Sequence, residues 1–148
     1  MCDYCDCRSH PQIAALSAEH EILLGLLGEL RGAIDRIDPD RMRDLLVGLR
    51  VLVDAHAMRE ERGVFTELRR AALDDRDVTS FEDEHQQIHA LIESATVGDG
   101  RFEAARDLVH VLGAHIEREE TDLFPAAHQL LTPAQWDAVD DATAELVS

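Results

Sequence analysis

Apolar residues early in the chain recur at alternating spacings of three and four, from Ile13 and Leu16 through Leu23, Leu27 and Leu30 to Ile34 and Ile37. That is the period of an amphipathic helix, and Pro11 suits its first turn, so the pattern predicts a helix over about 11–37. Asp38-Pro39 gives a second start signal, a cap followed by proline, for a helix over about 39–73 with Leu45, Leu49, Leu52, Val64 and Leu68 inward. Thr79-x-x-Glu82 reads as a capping box opening a third helix over about 80–95, with Phe81, Ile92 and either His89 or Ile88 inward. After the turn Val97-Gly98-Asp99-Gly100, a fourth helix over about 101–131 carries Leu108 and Phe124, with Pro125 expected to kink or close it. Thr132-Pro133 then opens a short helix over about 133–146 that lays Trp136, Val139 and Leu146 on the bundle. Short connections make neighbours antiparallel, so the expected fold is all-α. It is an up-down-up-down four-helix bundle over residues 11–148, preceded by a Cys-rich tail over 1–10.

Polar residues interrupt the apolar stripes in a repeated way. Ala55-His56 to Phe65 and Ala114-His115 to Phe124 both read Ala-His-x-x-x-Glu-Glu-x-x-x-Phe. Residues four apart share a helix face, so each copy sets an imidazole over a carboxylate. A weaker repeat pairs Glu19-His20 with Glu84-His85, but His89 stands one turn beyond His85 where Leu24 stands beyond His20. The set His20, His56, Glu60, His85, His89, His115 and Glu119 thus draws on all four helices. Such groups are costly to bury unless paired or bound to metal. Five imidazoles and two bridging carboxylates suit two metal ions, iron first, with zinc, manganese or copper behind it.

Charge narrows the partners. The chain carries 31 acidic and 14 basic side chains, a formal charge of -17, which argues against nucleic acid or an anionic membrane surface. The first residues have neither the basic start nor the apolar run of a signal peptide, and no stretch has the length of a membrane span, so the expected location is the cytoplasm. Aromatic residues make up only 4%, which leaves the core to aliphatic side chains.

Together these motifs resemble the hemerythrin-like HHE cation-binding domains, whose pattern is His, then His-x-x-x-Glu, then His-x-x-x-His, then a last His-x-x-x-Glu or longer His-x-x-x-x-Asp. The match runs from about Ile13 to Leu131 through His20, His56 and Glu60, His85 and His89, and His115 and Glu119, ending at Phe124-Pro125. The resemblance implies one iron held by His85, His89 and His115 and another by His20 and His56, bridged by Glu60 and Glu119, with an open position beside Leu24 for dioxygen, hydrogen peroxide, nitric oxide or azide. The last pair is His-x-x-x-Glu rather than the oxygen carriers' longer spacing. With so few aromatics to keep a pocket dry, peroxide turnover is favoured over reversible oxygen carriage or sensing. Storage or sensing of iron or zinc is a further class.

Other residues have ordinary readings. Glu61 and Glu120 point about 100° from the bridging residues, as supporting or solvent-facing groups. Glu19 and Glu84 are placed to orient imidazoles on neighbouring helices. Phe65 and Phe124 are core residues that also wall the pocket, while His110 and His128 fall off the ligand face. In the tail, Cys2, Cys5, Cys7 and His10 form a candidate zinc site or redox cluster.

Overall fold

The computed structural model describes residues 7–71 and 75–147. Helix α1 (Pro11–Asp35) buries Ile13, Leu16, Leu23, Leu27, Leu30 and Ile34. It stops short of the expected end because Ile37 takes a left-handed φ of 52°. There the Ile37 N–H donates to the Ile34 carbonyl at 3.0 Å and the Asp38 N–H to the Ala33 carbonyl at 2.9 Å, closing the helix as a Schellman motif. Asp38 then caps the next helix by accepting from the Arg41 N–H at 3.0 Å.

Helix α2 spans 39–70 in three segments, Pro39–Arg59, a π-helical turn Glu60–Val64, and Phe65–Arg70. Helix α4 spans 101–130 the same way, as Arg101–Arg118, a π turn Glu119–Leu123, and Phe124–Leu130. In each wide turn the closing phenylalanine N–H reaches back five residues, Phe65 to the Glu60 carbonyl and Phe124 to the Glu119 carbonyl, where a regular helix reaches back four. Both π turns therefore begin at the carboxylate of the repeated motif. Pro125 sits in the first turn after the second one, so α4 continues past the proline to Leu130.

Helix α3 (Asp75–Thr96) starts ahead of the expected capping box. Thr79 and Glu82 serve a tertiary purpose instead. Arg69 of α2 donates to Thr79 Oγ1 at 3.0 Å, to Glu82 Oε2 at 3.1 Å and to Asp75 Oδ1 at 2.6 Å. Helix α5 (Pro133–Val147) is capped reciprocally by Thr132 and Gln135. It packs on the π turn of α2, where a side chain added at Gly63 would meet Val139 Cγ1 at 3.2 Å.

Helix α1 packs on α2 and α4, and α3 packs on α4 and α2, giving an all-helical bundle. Two apolar clusters form along it. One joins the end of α1 and start of α2 to the end of α3 and start of α4, around Leu30, Leu46, Ile92 and Leu108. The other joins the opposite ends and α5, around Ile13, Phe65, Phe81, Phe124 and Val139. A layer of buried polar residues separates them. Among the described residues no helix is long and apolar enough to cross a membrane.

Candidate metal centre

Six buried residues from four helices make the polar layer: His20 from α1, His56 and Glu60 from α2, His85 from α3, and His115 and Glu119 from α4. They form two groups, one of His20, His56, Glu60 and Glu119 and the other of Glu60, His85, His115 and Glu119, with candidate ligand atoms within 4.8 Å of one another. Ligands at about 2.1 Å from an ion stand up to about 4.2 Å apart across it, so only a small contraction is needed. Both carboxylates belong to both groups. Glu60 Oε1 lies 3.0 Å from His56 Nε2 and 3.4 Å from His85 Nε2, and Glu119 Oε1 lies 3.1 Å from both His20 Nε2 and His115 Nε2. Each carboxylate thus faces an imidazole from either side, as a bridging ligand must.

The outer nitrogen of every imidazole is fixed by a further carboxylate. Nδ1 of His56 pairs with Glu19 at 2.6 Å, that of His115 with Glu84 at 2.6 Å, that of His85 with Glu61 at 2.9 Å, and that of His20 with Glu120 at 2.9 Å. Such a bond holds the proton on Nδ1 and aims the Nε2 lone pair inward. Phenylalanines fix the ring planes, Phe124 stacking on His20 at 5.4 Å and Phe65 on His85 at 5.5 Å. The arrangement is two-fold: α1 with α2 does for the site what α3 with α4 does.

Six atoms of this layer, Nε2 of His56, His85 and His115, both oxygens of Glu60 and Oε2 of Glu119, are buried with no hydrogen-bond partner among the described residues. At roughly 1–3 kcal/mol for each unsatisfied group, the sum rivals the about 5–15 kcal/mol that holds a whole domain folded. Positive charge in the centre removes that cost. Without metal, protons supply it: burial opposes charging His115, but the Glu119 carboxylate facing it and the hydrogen bond to Glu84 raise its pKa to about 10. His20, His56 and His85 are also pushed up against burial by facing carboxylates. Burial likewise opposes ionising Glu119, yet hydrogen bonds and nearby imidazoles hold its carboxyl well below the usual range. The donor set of imidazoles and carboxylates, with unsatisfied lone pairs converging, fits first-row cations such as iron.

His89 is not brought to this cluster. Its Nε2 lies 2.5 Å from Asp54 Oδ1, its Nδ1 donates to the His85 carbonyl at 2.7 Å, and its side chain is 41% exposed. Ile88 takes the inward position, as Leu23 does on α1, while Leu24 is 43% exposed. Each of the two groups contains two imidazoles, and the space beside them lies away from Leu24. It is a narrow cavity between the four imidazoles and an apolar wall that includes Leu23, Val53, Ile88 and Leu112, with room for about one water-sized molecule. In the tail, Cys2 and Cys5 lie outside the described residues, and Cys7 opens a short 3-10 turn, Cys7–Ser9. His10 stacks on Trp136 at 4.2 Å, with His128 edge-on to it at 5.2 Å, well apart from the cluster.

Sequence reasoning passed over two arginines. Arg59 and Arg118 occupy the same place in both repeats and pair with Glu19 and Glu84 respectively, so the repeat is better written Ala-His-x-x-Arg-Glu-Glu-x-x-x-Phe. Both members of each Glu-Glu doublet face imidazoles, the second member reaching across to the other helix pair. Ser17, which donates to Glu120 Oε2 at 3.1 Å, gave no signal, since a serine within an apolar stripe is unremarkable.

The sequence profile of the hemerythrin HHE cation binding domain matches residues 12–127. Among curated proteins and among solved structures nothing matches the chain. The profile spans α1 to α4 and every member of the polar layer, and the chain belongs to the hemerythrin HHE cation-binding family.

Proposed function

We infer that the cluster holds two non-haem iron ions and that the protein binds and turns over a small oxidant, hydrogen peroxide ahead of dioxygen or nitric oxide. The inward, unsatisfied donor atoms of His56, His85, His115, Glu60 and Glu119 support this most directly. Iron bound there supplies reversible electron exchange with a small ligand. The chain's residues do the rest. Glu60 and Glu119 span the two histidine pairs, and Glu19, Glu61, Glu84 and Glu120 fix the ring orientations. With two imidazoles on each side and shared carboxylates, neither position fills the six places iron commonly uses, which leaves room for an exogenous ligand.

The apolar cavity admits an uncharged molecule the size of water or peroxide and keeps larger reductants out. Glu61, bonded to His85 and 40% exposed, offers a route by which protons needed for turnover could reach the centre from solvent. Anaerobic purification with metal analysis tests the reading. About two irons per chain, with peroxide consumed faster than by free iron and slowly in Glu119→Ala, are the expected results. An air-reversible spectrum without peroxide loss would replace the enzyme with a carrier, and zinc in both positions would make it a metal-handling protein.

A further inference from the structure

The buried layer contains two facing pairs of imidazoles, His20 with His56 at 4.7 Å between ring centroids and His85 with His115 at 4.8 Å and 66°. A third pair lies outside it. His10, at the start of α1, and His128, in the last turns of α4, stand 5.2 Å apart at 61°. Two imidazoles that share a tetrahedral ion, each nitrogen about 2.0–2.1 Å from it, hold their ring centroids about 5 Å apart. The outer pair thus has the spacing and tilt of the inner ones.

His10 occupies the cap position of α1, yet its side chain does not cap the helix. Nδ1 of His128 is buried with no hydrogen-bond partner among the described residues, and so is Nε1 of Trp136, whose ring stacks on His10 at 4.2 Å. Trp136 as a whole is only 8% exposed. All three side chains line one surface pocket. An imidazole nitrogen suits a cation, whereas an indole N–H suits an electron-rich acceptor, and buried groups left without either are costly. One occupant meets both needs: a metal ion that arrives with thiolate sulfur.

The chain carries that sulfur close by. Cys7 stands three residues before His10 and Cys5 five, within about 11 and 18 Å even along a fully extended chain. We propose that His10 and His128 bind a zinc ion together with thiolates of the tail cysteines, of which Cys2 and Cys5 lie outside the described residues. Imidazole with thiolate selects zinc over calcium or magnesium, and four protein ligands make a closed, structural site. Binding displaces the thiol protons and ties the tail to the end of α4. Arg8 lies within the tied segment and faces Glu120, the carboxylate that holds His20, at 3.7 Å. The outer ion therefore steadies one support of the inner centre.

Thiolate separates this site from the buried centre, whose donors are imidazoles and carboxylates. Metal-free full-length protein, its thiols kept reduced by a phosphine, is titrated with cobalt(II). Cobalt bound to thiolate gives a near-ultraviolet charge-transfer band that the buried centre cannot give. Trp136, the chain's single tryptophan, loses fluorescence when a paramagnetic ion binds its stacked neighbour. One equivalent of cobalt is expected to raise the band and quench the emission together, and zinc to reverse both. His128→Gln should weaken that step roughly a hundredfold or more, beyond the about 10–100-fold that follows loss of a ligand's hydrogen-bonded support. His10→Gln should act alike, and both variants should keep the wild-type helix content. A band that forms at wild-type affinity in either variant would overturn the proposal, because the thiolates would then bind without that histidine. So would quenching without a thiolate band, or no band in the wild-type protein.

Discussion

At the level of single residues, the centre depends as much on the carboxylates behind the histidines as on the histidines. Glu84→Ala leaves the bundle folded but removes the acceptor that orients His115, and metal affinity should fall about 10–100-fold, measured by competition with a chelator. Protonation gives a second test. His115 is raised from its ordinary value of 6.5 to about 10 in the folded chain. Its stabilisation in metal-free protein is therefore complete below about pH 6.5 and is lost as pH climbs through about 10. Glu119 is lowered, so its contribution is present above the ordinary carboxyl value of 4.5 and is lost as pH falls through its depressed pKa. Thermal unfolding in chelator should then be highest in weakly acidic buffer and decline on the alkaline side, while metal-loaded protein escapes the alkaline decline because cations replace the protons. The histidines and glutamates of this layer were legible in the sequence because they break apolar stripes at helical spacing. His89 was not: a period of 3.6 allows position i+3 or i+4 inward, and only packing against α2 chooses Ile88.

Within the helices, the two π turns decide what the repeated motif can do. Each adds a residue at Glu60 or Glu119, which lets both glutamates of a doublet reach imidazoles and still returns Phe65 and Phe124 to ring-stacking positions. Deleting Thr121 should restore a regular helical turn with Phe124 still in register, take Glu120 off His20 and weaken metal binding on the His20 side, read by metal analysis alongside helix content. Nothing in the residue pattern announced these turns, since a π turn preserves the apolar stripe on both sides and shifts only its register. The start of α3 was misplaced for a related reason: Thr79 and Glu82 carry a local capping signal, and Arg69 from another helix outbids it. At the end of α1, by contrast, Ile37 is a β-branched residue at φ 52° with its side chain 72% exposed. Ile37→Gly should stabilise the protein by about 1 kcal/mol, raising the melting temperature by roughly 2–4 °C.

On the scale of the whole molecule, an apolar core on either side of a charged layer makes folding and metal loading one problem. Loading at about a thousand times the dissociation constant should add about 4 kcal/mol, visible as a higher melting temperature that depends on metal concentration. The helical bundle itself was readable from hydrophobic period and caps, whereas the wiring across helices was not, because pairs such as Glu61 with His85 join segments that no local rule connects. That wiring has a consequence for assembly. Glu61 of the first helix pair serves His85 of the second, and Glu120 of the second serves His20 of the first, so neither pair can complete a centre without the other. Nothing in the chemistry requires the two pairs to come from one molecule. Two chains that traded their second halves would rebuild two full centres and keep the same metal per chain. Such an exchanged dimer would be invisible to metal analysis and plain to mass measurement in solution, and metal would trap whichever form was present when it bound.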